Sequence, residues 1–148
     1  MYARRMEIAI ATPADLTDEL VAAIAHLMPQ LNPTVAPPTR DQLAEIIATC
    51  DLFLVRDATS LVAMGTLATY RTPIGVHGWI EDVVVDTAAR ARGIGEALTR
   101  AMLARAREKQ VRTLALTSNP RREAANRLYQ RLGFQERDSR VYRYSHEE

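Results

Sequence analysis

The segment that most restricts the fold is Val83-Val84-Val85-Asp86-Thr87-Ala88-Ala89-Arg90-Ala91-Arg92-Gly93-Ile94-Gly95. Three consecutive valines suit a strand buried on both faces. A short loop follows, and two glycines open a segment in which Ile94, Ala97, Leu98, Ala101 and Met102 recur at helical spacing. A strand that runs into an amphipathic helix needs a second strand to receive the chain, and such a crossover is right-handed. The two glycines also make an anion cradle. The first-turn N–H groups of a helix lack internal partners, and the helix dipole adds about half a positive charge there. Arg90 and Arg92 add full charges, with the backbone of Ala91, Gly93, Ile94, Gly95 and Glu96 beside them. An ordinary strand-to-helix turn that uses glycine for packing is the other reading of these residues alone.

Two better-known glycine loops fail on the residues. A dinucleotide fingerprint needs a third small residue where Leu98 stands, and an acid about 20 residues further on, where Arg112-Thr113-Leu114-Ala115 has none. A Walker A loop needs four residues between its glycines followed by Lys-Ser or Lys-Thr, and both features are missing. A phosphate-bearing ligand held mainly by backbone remains.

The rest of the chain reads as a mixed α/β domain in the order β-α-α-β-β-β-α-β-α-β-β, one domain over residues 1–148. Residues 7–10 read as a strand. Thr12 and Pro13 open a helix, and four prolines mark a loop from Pro29 to residue 38 of the kind that covers a site. Thr39 and Gln42 form a capping box for a second helix. Strands are expected at 52–55, 61–70 and 79–86, with a loop at 72–78 whose His77 reads first as a surface residue and otherwise as one lining a site mouth. A helix at 93–109, a strand at 112–117 and a helix at 121–132 ended by Gly133 follow. Two last strands are expected at 134–137 and 141–144, with a free edge on which a homodimer could form.

The net charge of +1 conceals an asymmetry. Residues up to 88 carry five basic and eleven acidic side chains, and those from 89 onward carry fourteen and seven. That pattern argues against a polybasic surface for nucleic acid or membrane, and for a local anion site in the second part. Cys50 is the single cysteine, so no intrachain disulfide can form, and a cytoplasmic protein is expected. Three scattered histidines show no metal-ligand spacing, and no metal is expected. No apolar run approaches membrane-spanning length.

Arg90-Ala91-Arg92-Gly93-Ile94-Gly95 after a strand, with Asn119 and then Ala125-Asn126-Arg127-Leu128-Tyr129-Gln130-Arg131-Leu132-Gly133-Phe134 downstream, resembles the two motifs of the GCN5-related N-acetyltransferase family. The strand Ile80-Glu81-Asp82-Val83-Val84-Val85 is also similar to the glucosamine-6-phosphate N-acetyltransferase branch. Ala91 stands where the family often has glycine, and Thr87-Ala88-Ala89 replace a frequent proline and aromatic residue. The resemblance implies a mostly antiparallel sheet and direct transfer of acetyl from acetyl-CoA to a primary amine of a small molecule or peptide. It implies that Asn119, Asn126 and the glycine turn hold the cosubstrate. It further implies that backbone N–H groups of Val83, Val84 and Val85 polarise the thioester carbonyl and that Tyr129 protonates the thiolate. Arg121 and Arg122 would meet a phosphate at the start of the last helix. A non-catalytic acyl-CoA sensor is the alternative.

Asn126 and Tyr129 share one helical face by spacing, although a boundary tyrosine commonly packs its ring and wets its hydroxyl. Glu81 and Asp82 are candidates for orienting or deprotonating the amine. Strand alternation sends them to opposite faces unless a bulge intervenes, with Glu81 on the side of Val83 and Val85.

Overall fold

The computed structural model describes residues 5–146. The chain forms two compact units, Met1–Thr117 and Ser118–Glu148. In the first, strands β1 (Met6–Ile10), β2 (Asp51–Asp57), β3 (Ser60–Thr72) and β4 (Gly75–Val85) pair antiparallel in chain order. A fifth strand, β5 (Thr113–Ala115), joins parallel to β4 after the crossover helix α3 (Ile94–Glu108). Helices α1 (Asp18–Leu31) and α2 (Arg40–Thr49) cover the opposite face of the sheet from α3. Their apolar stripes, Leu20, Ile24 and Leu27 from α1 and Leu43 from α2, close a core with Leu52, Leu54, Met64 and Val84. On the α3 side, Leu98 and Met102 are fully buried. The second unit holds α4 (Glu123–Arg131).

The expected capping box on α2 forms: Thr39 Oγ1 accepts the Gln42 N–H at 3.2 Å, and the Gln42 side chain accepts the Thr39 N–H at 3.0 Å. Several boundaries differ from expectation. Thr12 does not begin the long helix. Asp15 accepts its N–H at 2.7 Å and closes a separate 3-10 turn, and Thr17 caps α1 five residues later. Pro29 lies inside α1 rather than in a loop. Burial of Leu27 and continued packing of Met28 and Leu31 outweigh the hydrogen bond that proline forfeits. Ala97 turns outward on α3. Residues 75–78 belong to β4, so His77 is a strand residue, stacked on Tyr70 at 5.4 Å and bonded to Thr72 Oγ1 at 2.9 Å.

The two strands expected at 134–137 and 141–144 do not form among the described residues. Phe134 is taken up instead by the end of α4. Gly133 adopts φ 101°, the Gly133 N–H bonds Gln130 O at 3.1 Å, and the Phe134 N–H bonds Tyr129 O at 2.9 Å. The Phe134 ring packs edge-on to Tyr129 at 5.8 Å. This is a Schellman closure with its customary apolar contact.

Candidate active site

The site begins with a break in β4. Its ladder with β3 runs to Thr66 opposite Glu81 and resumes at Met64 opposite Val84. Gly65 therefore faces two residues, Asp82 and Val83, and Asp82 takes φ 54°. An extra residue in a left-handed conformation is a β-bulge of the type usually built on glycine. The glycine sits instead on the partner strand. A side chain at 65 would collide with the terminal methyl of Met102 and come within 3.2 Å of the Val83 Cγ2. Gly65 thus admits Val83, displaced toward α3 by the bulge.

The bulge resets which side chains share a face, and this corrects the expected alternation. Glu81 stands opposite Thr66 and shares its face. Val83 and Val85 lie on the α3 side, beside Gly65 and Gly95. Glu81 and Asp82 therefore both belong to the α1–α2 side. Asp82 lines a cleft of about 520 Å³ there, between the end of α1, the 32–38 segment, α2 and the sheet. Thr66 and Met64 form its floor, and Gln42 and Glu45 its α2 wall. His77 does not line it.

Glu81 is exposed at its edge of the sheet, yet partial desolvation pushes its carboxyl above the ordinary carboxylate range, and the neighbouring Asp82 charge adds to the rise. Among the described residues no cation pairs with either acid. A carboxyl with a raised pKa on the sheet face that the cleft uses is a stronger base than an ordinary carboxylate.

β5 pairs β4 only as far as Trp79. From Ile80 to Val85, that edge of β4 has no strand beside it among the described residues, so its backbone groups are open to a ligand. The chain then turns at Thr87–Ala89 and enters α3 through Gly93, whose φ of 73° is one that glycine adopts without strain. No side chain caps α3, which leaves its first-turn N–H groups to another acceptor. A Cβ at Gly95 would meet only Val85 at 3.9 Å, so folding does not demand glycine there. The space is what a close-approaching pyrophosphate needs, and the residues present fit one.

Arg92 is less available than its sequence position suggests. Its guanidinium bonds the buried Asp57 at 3.0 Å and ties the turn to the end of β2. Arg90 is exposed at the same turn. Ala91, where glycine would be at ease, takes φ 62°. Asp86 caps the turn through the Ala88 N–H, and that hydrogen bond holds its carboxyl below the usual range. Gln30 of α1 grips the same turn, accepting the Thr87 N–H at 2.9 Å and donating to Asp86 at 3.4 Å.

In the second unit, Asn119 and Asn126 shape the approach to α4. Asn119 Oδ1 accepts the Arg121 N–H at 2.9 Å, and Asn126 Nδ2 donates to Asn119 O at 3.1 Å. Arg121 and Arg122 precede the helix, and no side chain caps it. Tyr129 lies one turn beyond Asn126. Sequence reading missed Thr66, Gln42, Glu45 and Met64. The available signal was Gly65, a glycine inside a strand pattern, which marks a bulge or a close approach.

An antiparallel sheet with one parallel crossover, a bulged strand and a glycine-led helix fits the acetyltransferase class that the sequence motifs resemble. The chain belongs to the Acetyltransferase (GNAT) family, whose pattern it matches over residues 18–134. It is an acetyltransferase that acts on an amine, and enzymes of this family use acetyl-CoA as cosubstrate. Glucosamine 6-phosphate N-acetyltransferase 1 of Oryza sativa subsp. japonica is 30% identical over 145 residues, 89% of this chain and 84% of that protein. A putative acetyltransferase from Agrobacterium tumefaciens str. C58 has the same fold, with TM-score 0.79, 22% identity and coverage of 94% and 99% of the two chains. An aminoglycoside acetyltransferase from an uncultured soil metagenomic sample superposes with TM-score 0.82 at 17% identity, covering 97% of each chain. Among the described residues no group of His, Cys, Asp or Glu is arranged to hold a metal, and no helix is long and apolar enough to cross a membrane.

Proposed function

We propose that the protein transfers acetyl from acetyl-CoA to a primary amine of a small molecule or peptide by direct attack, both substrates being bound together. Acetyl-CoA supplies the activated acetyl thioester. The first-turn N–H groups of α3 hold its pyrophosphate, with Arg90 nearby. Backbone N–H groups on the open β4 edge, from Val83 to Val85, polarise the thioester carbonyl. Asp82 orients the incoming ammonium in the cleft, and Glu81 takes its proton, directly or through a water. The amine nitrogen bonds to the acetyl carbon and sheds its second proton to solvent, the carbon–sulfur bond breaks, and the Tyr129 hydroxyl gives its proton to the departing thiolate and regains one from solvent. Asn119 and Asn126 set the position of α4, and so of Tyr129.

The observation that carries this reading is the bulge at Asp82–Val83. It brings two carboxylates, with no cation partner among the described residues, to the cleft face of the strand whose other edge has no described strand beside it. Because the family match spans both units, we read residues 1–148 as one domain. Cysteine usage favours action in the cytoplasm.

CoA release with a panel of amines tests the reading. Tyr129→Phe should lower kcat about 10²-fold or more with little change in acetyl-CoA affinity, as loss of an acid–base assist does. Full turnover in that variant would remove Tyr129 from the mechanism.

A further inference from the structure

The cleft has a composition that narrows the acceptor. Ten of its fifteen lining residues are apolar, including Ile24, Met28, Leu31, Val35, Ile46 and Met64. The charged ones are Glu45 and Asp82, both acidic, and Glu81 stands on the same sheet face. Among the described residues no Lys, Arg or His lines the cleft. The nearby cations are engaged elsewhere. Arg40, at the start of α2, bonds Asp18 at 2.7 Å and the Leu16 carbonyl at 2.8 Å. His26 of α1 faces Asp86 at 3.4 Å.

From this we infer that the acceptor is a primary amine on an apolar body, without a phosphate. The inference rests on the acetyl-transfer reading above and names its substrate class. An ammonium gains from the carboxylates of Asp82, Glu45 and Glu81, which have no cation partner among the described residues, and an apolar body displaces water from the walls of α1 and α2. A phosphate dianion finds no cation to replace its hydration and meets carboxylates of its own sign, an arrangement that rejects a ligand as firmly as good contacts select one. A polyhydroxylated sugar likewise leaves most hydroxyls facing apolar walls, at the cost of unmade hydrogen bonds. The sugar-phosphate preference in the name of the rice relative therefore does not carry over.

The full chain is assayed for CoA release with phenethylamine, glucosamine and glucosamine 6-phosphate, and acetyl-CoA binding is measured separately by calorimetry. The expected result is a kcat/KM for phenethylamine about 100-fold or more above that for glucosamine 6-phosphate. A preference for glucosamine 6-phosphate, or parity, overturns the inference and leaves acetyl transfer standing. So does bound acetyl-CoA with silence toward phenethylamine and turnover of either sugar. Failure to bind acetyl-CoA, with no release on any amine, brings down the acetyl-transfer reading itself. Thr49→Arg supplies a second readout. Thr49 is an exposed helix position on the cleft wall, and a guanidinium there should narrow the ratio by about 10-fold. An unchanged ratio in a variant with unchanged Tm would show that the cleft does not hold the acceptor.

Discussion

Two carboxylate clusters on the first unit meet opposite fates. Asp51, at the start of β2, is buried, and burial alone would raise its pKa. The hydrogen bonds from Arg105 and Lys109, each at 3.0 Å, outweigh that and hold it below the ordinary range. Glu81 is more exposed and receives no such compensation, so partial desolvation with the Asp82 charge pushes it up. Both clusters lie where the sheet meets a helix layer. One is a structural clamp between β2 and α3, complete within the fold. The other has no cation partner among the described residues, and under the proposed function the substrate ammonium completes it.

Glu81→Gln gives the largest effect expected from this contrast. Near neutral pH it should slow turnover about 10²–10⁴-fold. In the unmodified enzyme the rate should fall as pH drops through the raised Glu81 pKa. The Gln variant should lose that acid limb, whereas an identical pH–rate profile would clear Glu81 of the role of base. Arg105→Ala should do the reverse, leaving turnover per folded molecule nearly unchanged and costing about 2 kcal/mol in a urea melt, since Asp51 loses a partner while still buried. The sign for Asp51 follows from its lowered pKa. Its contribution is present above the unfolded value near 3.8 and is lost as pH falls through the lower folded value.

Asp82→Gly separates charge from backbone. It keeps the bulge, relieves a left-handed residue and should stabilise by about 0.5–1 kcal/mol while raising the KM for the amine. A loss of stability would mean that the carboxylate itself holds the bulge. The smallest effect is again at Glu81. Its raised pKa means that the fold disfavours the charged form, so its contribution to stability is full below the unfolded pKa and declines as pH rises through the folded one. Glu81→Gln should therefore raise Tm slightly at neutral pH and not at all in acid, which paired thermal melts would read.

The local features of the fold were legible in sequence, because each signal lies within a few residues of what it specifies. Thr39 and Gln42 announced α2, Gly93 announced the entry to α3, and Gly133 announced the end of α4. Pro29 misled because a helix boundary was read from one residue's propensity, while the burial of Leu27 decided the matter. The pair Glu81–Asp82 was found, but its facing was not. The left-handed turn at Asp82 arises from pairing with Gly65, seventeen positions earlier, and no local rule connects the two. The cleft was illegible for the same reason: Met28, Glu45, Thr66 and Asp82 meet only through the tertiary packing of α1 and α2 on the sheet. The strand pattern at 141–144 was real as alternation, yet alternation without a partner edge does not make a ladder.

Gln30 joins the helix beside the cleft to the turn before α3. Its helix walls the cleft through Met28 and Leu31, and its amide grips the turn that leads into the glycine entry of α3. Occupancy of that turn should therefore stiffen the cleft wall before an amine arrives, giving heterotropic cooperativity and a compulsory order of addition with acetyl-CoA first. Initial-rate patterns should be sequential and ordered in the unmodified enzyme. In Gln30→Ala they should drift toward random order as the strut is lost.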